Sequence, residues 1–138
     1  MAVIEELIRT EEDGTISFGN YALAKKSKLG DFEHNGDLYK VKTFKEITKL
    51  EKNGMFVYES VPGTAVTEFK ASDKGTVFLV EGIGDAQITL ELEEGTEYDV
   101  VVGHNDAGHM KTNLGGKLSL SVELNDTAPV YVKIEKTV

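Results

Sequence analysis

Strict alternation of apolar and polar residues is the feature of this chain that most constrains its fold. Every second residue is apolar from Lys117 to Leu124, and the same pattern recurs from Ala86 to Glu93. A period of two places the apolar side chains on one face of an extended strand, so each segment predicts a half-buried strand. The alternation here and in neighbouring segments predicts a core that includes Ile88, Leu90, Leu92, Val100, Leu118, Leu120, Val122, Val132 and Ile134.

Similar short β-prone segments fill much of the remaining chain, and clusters of Gly, Asn, Asp and Pro separate them. About nine or ten such strands, spaced about ten residues apart without long helical segments between them, are typical of a sandwich or barrel. We therefore predict an all-β protein with little helix, an antiparallel β-sandwich for which a jelly roll is one arrangement of the strands. The length of 138 residues fits a single domain over residues 1–138.

Asn53-Gly54 is the strongest turn signal in the sequence. It lies between two β-prone segments, and an Asn-Gly pair suits the two positive-φ positions of a tight hairpin turn. The alternative is a helix over Phe44–Lys52 that starts from a capping box at Thr43 and ends at Gly54. We favour the hairpin because strands are predicted on both sides.

Other turns and one ambiguous segment complete the outline. Glu94-Gly95 predicts a second hairpin, which would pair Ala86–Glu93 with Thr96–Val102. The cluster Asn125–Pro129 predicts a turn before the last strand. The segment Gly19–Lys28 fits either a strand or a short helical turn.

The composition disfavours several classes of function. The formal net charge of −9 disfavours binding to nucleic acid and to anionic membranes, because an acidic surface repels phosphate groups. The chain has no cysteine, which excludes disulfides, zinc–thiolate sites, iron–sulfur clusters and cysteine nucleophiles. Two glutamates interrupt the apolar N-terminus, and no apolar stretch reaches the length of a membrane span. A cytoplasmic protein is therefore the expectation.

The charges are unevenly distributed along the sequence. From Glu81 to Asp106 there are eight acidic residues and no Lys or Arg, whereas from Asn20 to Met55 there are eight lysines against five acids. One interpretation is two differently charged faces that aid solubility. The other is self-association, in which a basic edge meets an acidic one. We favour the first interpretation from the sequence alone.

The segment Gly103–Asn113, predicted as a loop, is the main candidate for a functional site. It contains two of the three histidines. His104, Asp106 and His109 are ligand types suited to Zn, Mn or Fe, and a neutral imidazole can act as an acid or base near neutral pH. The competing explanation is that a loop rich in Gly and Asn needs polar, turn-tolerant residues in any case. We favour that explanation and predict no cofactor and no stoichiometric transition metal.

A second polar segment, Asp31–Asp37, has the spacing of a possible calcium loop. Gly36 takes the sixth position, but Lys42 takes the twelfth, where an EF-hand needs a bidentate Glu. We therefore interpret Asn35-Gly36 as a turn.

Three functional hypotheses follow from the sequence. The first is a non-catalytic module that acts through protein contacts as a homo-oligomer, because no catalytic motif is complete and the edge strands of a sandwich need pairing or protection. The second is a small-ligand or carbohydrate-binding domain, which the absence of Trp weakens. The third is a metal-dependent enzyme that uses the 103–113 loop. None of the three has nucleic acid or a membrane as its partner.

Overall fold

The structure, a computed structural model, describes residues 3–125 and 128–137 and confirms the all-β sandwich predicted from the sequence. The described residues form thirteen strands in two antiparallel sheets, rather than the nine or ten strands expected. In chain order these are β1 Ile8–Thr10, β2 Ile16–Phe18, β3 Ser27–His34, β4 Asp37–Phe44, β5 Ile47–Lys52, β6 Met55–Val61, β7 Ala65–Ser72, β8 Gly75–Glu81, β9 Ala86–Glu91, β10 Glu97–Val102, β11 Asn105–Lys111, β12 Lys117–Val122 and β13 Val130–Lys136.

The seven-stranded sheet has the order β1-β2-β7-β8-β13-β10-β11, and the six-stranded sheet has the order β12-β9-β6-β5-β4-β3. Two of these strands, β3 and β11, are not predicted by the sequence pattern. Both are edge strands that pair with one neighbour only, and both are largely exposed along their length. A strand that buries little of either face does not need apolar residues at every second position, so it shows no alternation.

The inner faces of the two sheets form one hydrophobic core. The predicted core residues are buried, except that Leu92 is half-buried and packs against the core. At its centre Tyr58 makes edge-to-face contacts with Phe18 and Phe78, at ring-centroid distances of 5.2 and 5.8 Å. Such pairs add to the stabilisation from burial alone.

A buried polar network ties the turn after β6 to the six-stranded sheet. The hydroxyl of Thr48 donates to the carbonyl oxygen of Thr64 at 2.8 Å and accepts from the Thr64 backbone N–H at 3.0 Å. The hydroxyls of Tyr58 and Ser60 each lie 2.8 Å from the Thr64 hydroxyl. Because these buried groups satisfy one another, the network avoids the desolvation cost that an unpaired polar group would carry.

The Asn53-Gly54 hairpin is confirmed and the alternative helix is wrong. Asn53 and Gly54 have φ values of 53° and 79°, and β5 pairs antiparallel with β6 on either side of them. Asn35-Gly36 makes the same kind of turn between β3 and β4, with φ values of 51° and 84°.

The hairpin predicted at Glu94-Gly95 is wrong. The strand β9 belongs to the six-stranded sheet, where β6 and β12 occupy both of its edges, while β10 belongs to the other sheet. The segment between them crosses from sheet to sheet and is held by Thr112, whose hydroxyl donates to the Glu93 carbonyl at 2.6 Å and accepts from the Thr96 N–H at 3.0 Å. Alternation marks a buried face but carries no information on which sheet holds the strand.

The N-terminal region is less regular than the sequence suggests. The first strand covers only Ile8–Thr10, and residues 19–26 are neither strand nor helix, although Tyr21 is fully buried there. The turn predicted over Asn125–Pro129 includes residues 126 and 127, which lie outside the described residues. Within the described residues there is no helix that is long and apolar enough to cross a membrane.

Candidate functional site

Three lysines lie side by side on the outer face of the six-stranded sheet. In the antiparallel register Lys28 of β3 is directly opposite Lys42 of β4, and Lys42 is directly opposite Lys49 of β5. Lys40, two residues before Lys42, faces the same side of the sheet. We call Lys28, Lys40, Lys42 and Lys49 the lysine face.

The alternation along β4 explains why these side chains point outward. Val41 and Thr43 are fully buried, so their neighbours Lys40 and Lys42 must project from the opposite face. The four lysines and Glu51 line a shallow depression of about 60 Å³. Glu51 is the one acidic residue that lines it.

The lysine face is only partly compensated from within the chain, because Lys40 lies opposite Glu51 and Lys49 lies opposite Glu59, but neither pair is within ion-pair distance. Of the eight lysines between Asn20 and Met55, Lys52 alone makes an ion pair among the described residues, with Asp37 at 3.9 Å. Like charges directly opposite each other on neighbouring strands are destabilising, by roughly 0.2–1 kcal/mol per pair. Three adjacent lysines therefore reduce the stability of the free protein, which is the pattern expected where an external negative charge binds.

The β12 end of the same outer sheet face is arranged differently. Lys117 of β12 pairs with Glu91 at 3.2 Å and also lies over the Phe56 ring, 4.5 Å from its centroid. Next to it the hydroxyls of Thr89 and Ser119 are 3.0 Å apart. Polar groups here satisfy one another, so the unpaired positive charge of this surface is concentrated at the β3–β5 end.

The predicted metal-site loop is largely a strand, so the loop prediction is wrong. Asn105–Lys111 forms β11 at the edge of the seven-stranded sheet, with a bulge at the turn-rich sequence around Gly108. His109 Nε2 lies 2.7 Å from Asp99 Oδ1, the Asp106 carboxylate accepts the Gly108 N–H at 2.8 Å, and His104 is exposed in the turn before the strand. Within residues 3–125 and 128–137 no three His, Asp or Glu side chains are placed to hold a metal ion together.

The possible calcium segment is also mostly strand. Asp31 sits at a bulge in β3 with a φ of 56°, and the turn itself is confined to Asn35-Gly36. The carboxylate of Asp37 is occupied by the Asn53 amide at 2.9 Å and by Lys52.

A cleft of about 280 Å³ opens at the end of the sandwich where β1–β2, β3–β4 and β7 meet. Its lining includes His34, Tyr39 and the nearly buried Phe69. The His34 ring stands edge-to-face against Tyr39 at 6.0 Å and its Nδ1 is 3.0 Å from the Thr10 hydroxyl. Burial, reinforced by Asp37, raises the pKa of Tyr39.

The acidic segment of the sequence does not form a single edge. Its residues divide between the two sheets, because β9 lies in one and β10 in the other, and the charges nearest the chain crossing are paired. The pairing of Glu93 with Lys136 at 2.6 Å holds the pKa of Glu93 below its usual range. The acidic residues of this segment therefore do not line one edge of the sandwich.

The lysine face is not among the sites predicted from the sequence. Counting lysines shows that the segment is basic, but only the strand register places Lys28, Lys42 and Lys49 in one row. The available signal was the spacing Lys40-x-Lys42 within an alternating strand. Comparison with protein-family models, with curated proteins and with solved structures finds no match to this chain.

Proposed function

We propose that this chain is a non-catalytic β-sandwich module that acts through protein contacts, and that the lysine face docks onto an acidic segment of a partner protein. The observation that carries the proposal is the unpaired cross-strand row Lys28–Lys42–Lys49. Carboxylates of a partner would remove the repulsion between these ammonium groups and so gain more free energy than isolated surface pairs do. The flexible four-carbon side chains let the lysines adapt to the spacing of the partner's charges.

An acidic protein segment fits this surface better than nucleic acid does. The chain has a single Arg, Arg9, which lies in the other sheet, so the lysine face offers no bidentate phosphate ligand. Two rings on this face, Phe44 and Phe56, are half-buried and lie under Lys26 and Lys117, at 5.8 and 4.5 Å from the ring centroids, so neither is free for base stacking. The net charge of −9 would also repel a phosphate backbone at long range.

The experiment is a binding titration with a labelled poly-glutamate peptide, followed by fluorescence anisotropy at low and moderate ionic strength. We expect binding that weakens as salt is added, because the contacts are charged and exposed. The variant Lys42→Gln/Lys49→Gln should bind at least about threefold more weakly, from the loss of two exposed charge contacts.

The matched control is Lys74→Gln/Lys133→Gln, which removes the same charge from β13 and the β7–β8 turn of the seven-stranded sheet and should leave the affinity unchanged. Equal weakening of peptide binding in both variants would show that net charge alone determines the affinity, and it would overturn the proposal. Tighter binding to a single-stranded DNA oligonucleotide of equal charge would overturn the choice of a protein partner.

The cleft beside His34 supports a second candidate, a small-ligand-binding domain. Its volume of about 280 Å³ suits only a small molecule, and its lining combines polar side chains such as His34 with the aromatic rings of Tyr39 and Phe69. A ligand screen followed by thermal shift would test it, with Tyr39→Ala as the variant expected to lose any stabilisation and Tyr131→Ala as the control.

A further inference from the structure

The four edge strands of the sandwich are not equally protected against pairing with another chain. The edge strand β1 has three residues, and β3 and β11 each contain a bulge and several exposed charges. The remaining edge, β12, pairs with β9 in a regular register over six residues without a bulge. Asn113 covers the outward backbone groups of Lys117, but the rest of this regular edge lacks such protection and is a template for a further strand.

The hydrogen bonds show which backbone groups of β12 face the open edge. The carbonyl of Gly116 accepts from the Leu92 N–H at 2.7 Å, on the β9 side, whereas the N–H and carbonyl of Lys117 are both bonded to Asn113, away from β9. Alternate residues of an antiparallel strand point their backbone groups to opposite sides. Leu118, Leu120 and Val122 therefore bond to β9, and the backbone groups of Ser119 and Ser121 face outward.

We propose that β12 pairs with the β12 strand of a second copy of this chain, antiparallel about a two-fold axis at Leu120. In this register Ser119 lies opposite the partner's Ser121, and their backbone groups form a ladder of reciprocal hydrogen bonds. The inward side chains extend the apolar layer, since Leu118 lies beside the partner's Val122. The occupant is thus another copy of the same strand, joined through an isologous contact.

Charge complementarity favours a second copy of the chain as the partner of β12, and it favours this register. Lys117 falls opposite the partner's Glu123, and by symmetry Glu123 falls opposite the partner's Lys117. Glu123 is exposed and makes no ion pair among the described residues, whereas Lys117 already pairs with Glu91 at 3.2 Å and would be shared between the two carboxylates. Sliding the strands by two residues in either direction places Lys117 opposite an uncharged residue, so the two-fold axis at Leu120 is the arrangement in which opposite charges meet.

The contact leaves the lysine face free, because β12 and β3 are opposite edges of the same sheet. A two-fold axis perpendicular to the sheet keeps equivalent faces on the same side, so both lysine faces of the dimer would lie on one surface. A partner with two acidic segments could then bind both copies, which raises its apparent affinity without any new contact.

Disulfide cross-linking tests the register directly, because the chain has no native cysteine. In the variant Ser119→Cys/Ser121→Cys each new thiol would face its counterpart across the two-fold axis, at a Cα separation suited to a disulfide. Mild oxidation should convert the protein to a covalent dimer. The control Lys28→Cys/Gly30→Cys on the opposite edge should stay monomeric on denaturing gels. Equal cross-linking of both variants, or none of the first, would overturn the proposal.

Sedimentation velocity over a range of concentrations provides the second measurement. Wild-type protein should show a concentration-dependent dimer, and Glu123→Lys should shift it to monomer by placing like charges together. The conservative variant Glu123→Asp should keep the dimer, while Glu33→Lys on β3 should have no effect. A wild-type monomer at every concentration, or a Glu123→Lys protein that dimerises unchanged, would contradict the inference. Neither result would alter poly-glutamate binding to the lysine face, so the two proposals fail independently.

Discussion

Lys42 lies directly opposite Lys49 in the register of the six-stranded sheet, and Lys28 lies opposite Lys42 on its other side. A sheet selected for stability alone would alternate charges across strands, as happens where Lys117 meets Glu91 at 3.2 Å. The row of lysines is therefore the clearest place in the described structure where other side chains on the same backbone would give a more stable protein. Such local costs are common at binding surfaces.

The first prediction is that Lys42→Gln stabilises the free protein. Removing the central charge of the row relieves repulsion on both sides, which should raise the free energy of unfolding by roughly 0.2–1 kcal/mol at low salt. Urea unfolding at low and high ionic strength measures it, and the gain should shrink as salt screens the charges. Lys117→Gln, which loses an ion pair instead, should give no gain. A Lys42→Gln protein less stable than wild type would contradict this interpretation of the row.

The second prediction concerns the core. Leu120 is 4% exposed between the sheets, so Leu120→Ala should cost roughly 2–5 kcal/mol of unfolding free energy through lost burial and the cavity left behind. Its exposed neighbour supplies the control, since Ser119→Ala should change stability by less than about 0.5 kcal/mol. Thermal and urea unfolding would measure both. Similar small effects for the two variants would remove Leu120 from the core.

The third prediction concerns the buried hydroxyl of Tyr58. Its hydrogen bond to Thr64 is 2.8 Å long, and Tyr58→Phe should cost about 1 kcal/mol at neutral pH. Burial raises the pKa of Tyr58 well above its ordinary value of 10.0. The folded state therefore keeps the proton that the unfolded chain releases, and stability that is fully present below about pH 10 falls as the pH rises further.

Unfolding at several alkaline pH values separates this effect from the other tyrosines. Tyr58→Phe should lose less stability above about pH 10 than the wild type does, because it lacks the buried phenol. Tyr131→Phe, at an exposed position, is the control and should follow the wild-type curve. Identical alkaline profiles for wild type and Tyr58→Phe would show that the phenol is not held neutral by burial.

The fourth prediction is that His104→Ala/His109→Ala leaves stability nearly unchanged. The side chains of His109 and Asp99 are 69% and 49% exposed, and an ion pair of that kind contributes little. Purified protein should carry no stoichiometric transition metal. Elemental analysis that finds about one Zn, Mn or Fe per chain, lost in the double variant, would revive the metal-dependent enzyme hypothesis.

The sequence predicts the interior of this protein better than its surface. Alternation identifies strands such as Ala86–Glu91 because each must bury one face, and Asn53-Gly54 identifies its turn because both residues need positive φ. The edge strand Asn105–Lys111 is not predicted because little of it is buried. The crossing at Glu94-Gly95 is not predicted because a buried face does not indicate which sheet holds the strand. The lysine face is recognised only from the strand register, which brings together residues that are distant in sequence.

Locating the bound acidic segment on the protein tests most directly whether the lysine face is the docking surface. Amide chemical shifts of ¹⁵N-labelled protein would be followed during titration with the poly-glutamate peptide, with the Lys42→Gln/Lys49→Gln variant as the control. We expect the largest shifts on β3, β4 and β5 around Lys28, Lys42 and Lys49, and we expect the variant to lose them. Shifts centred on the His34 cleft or on the seven-stranded sheet, or no saturable shifts at low salt, would contradict this expectation.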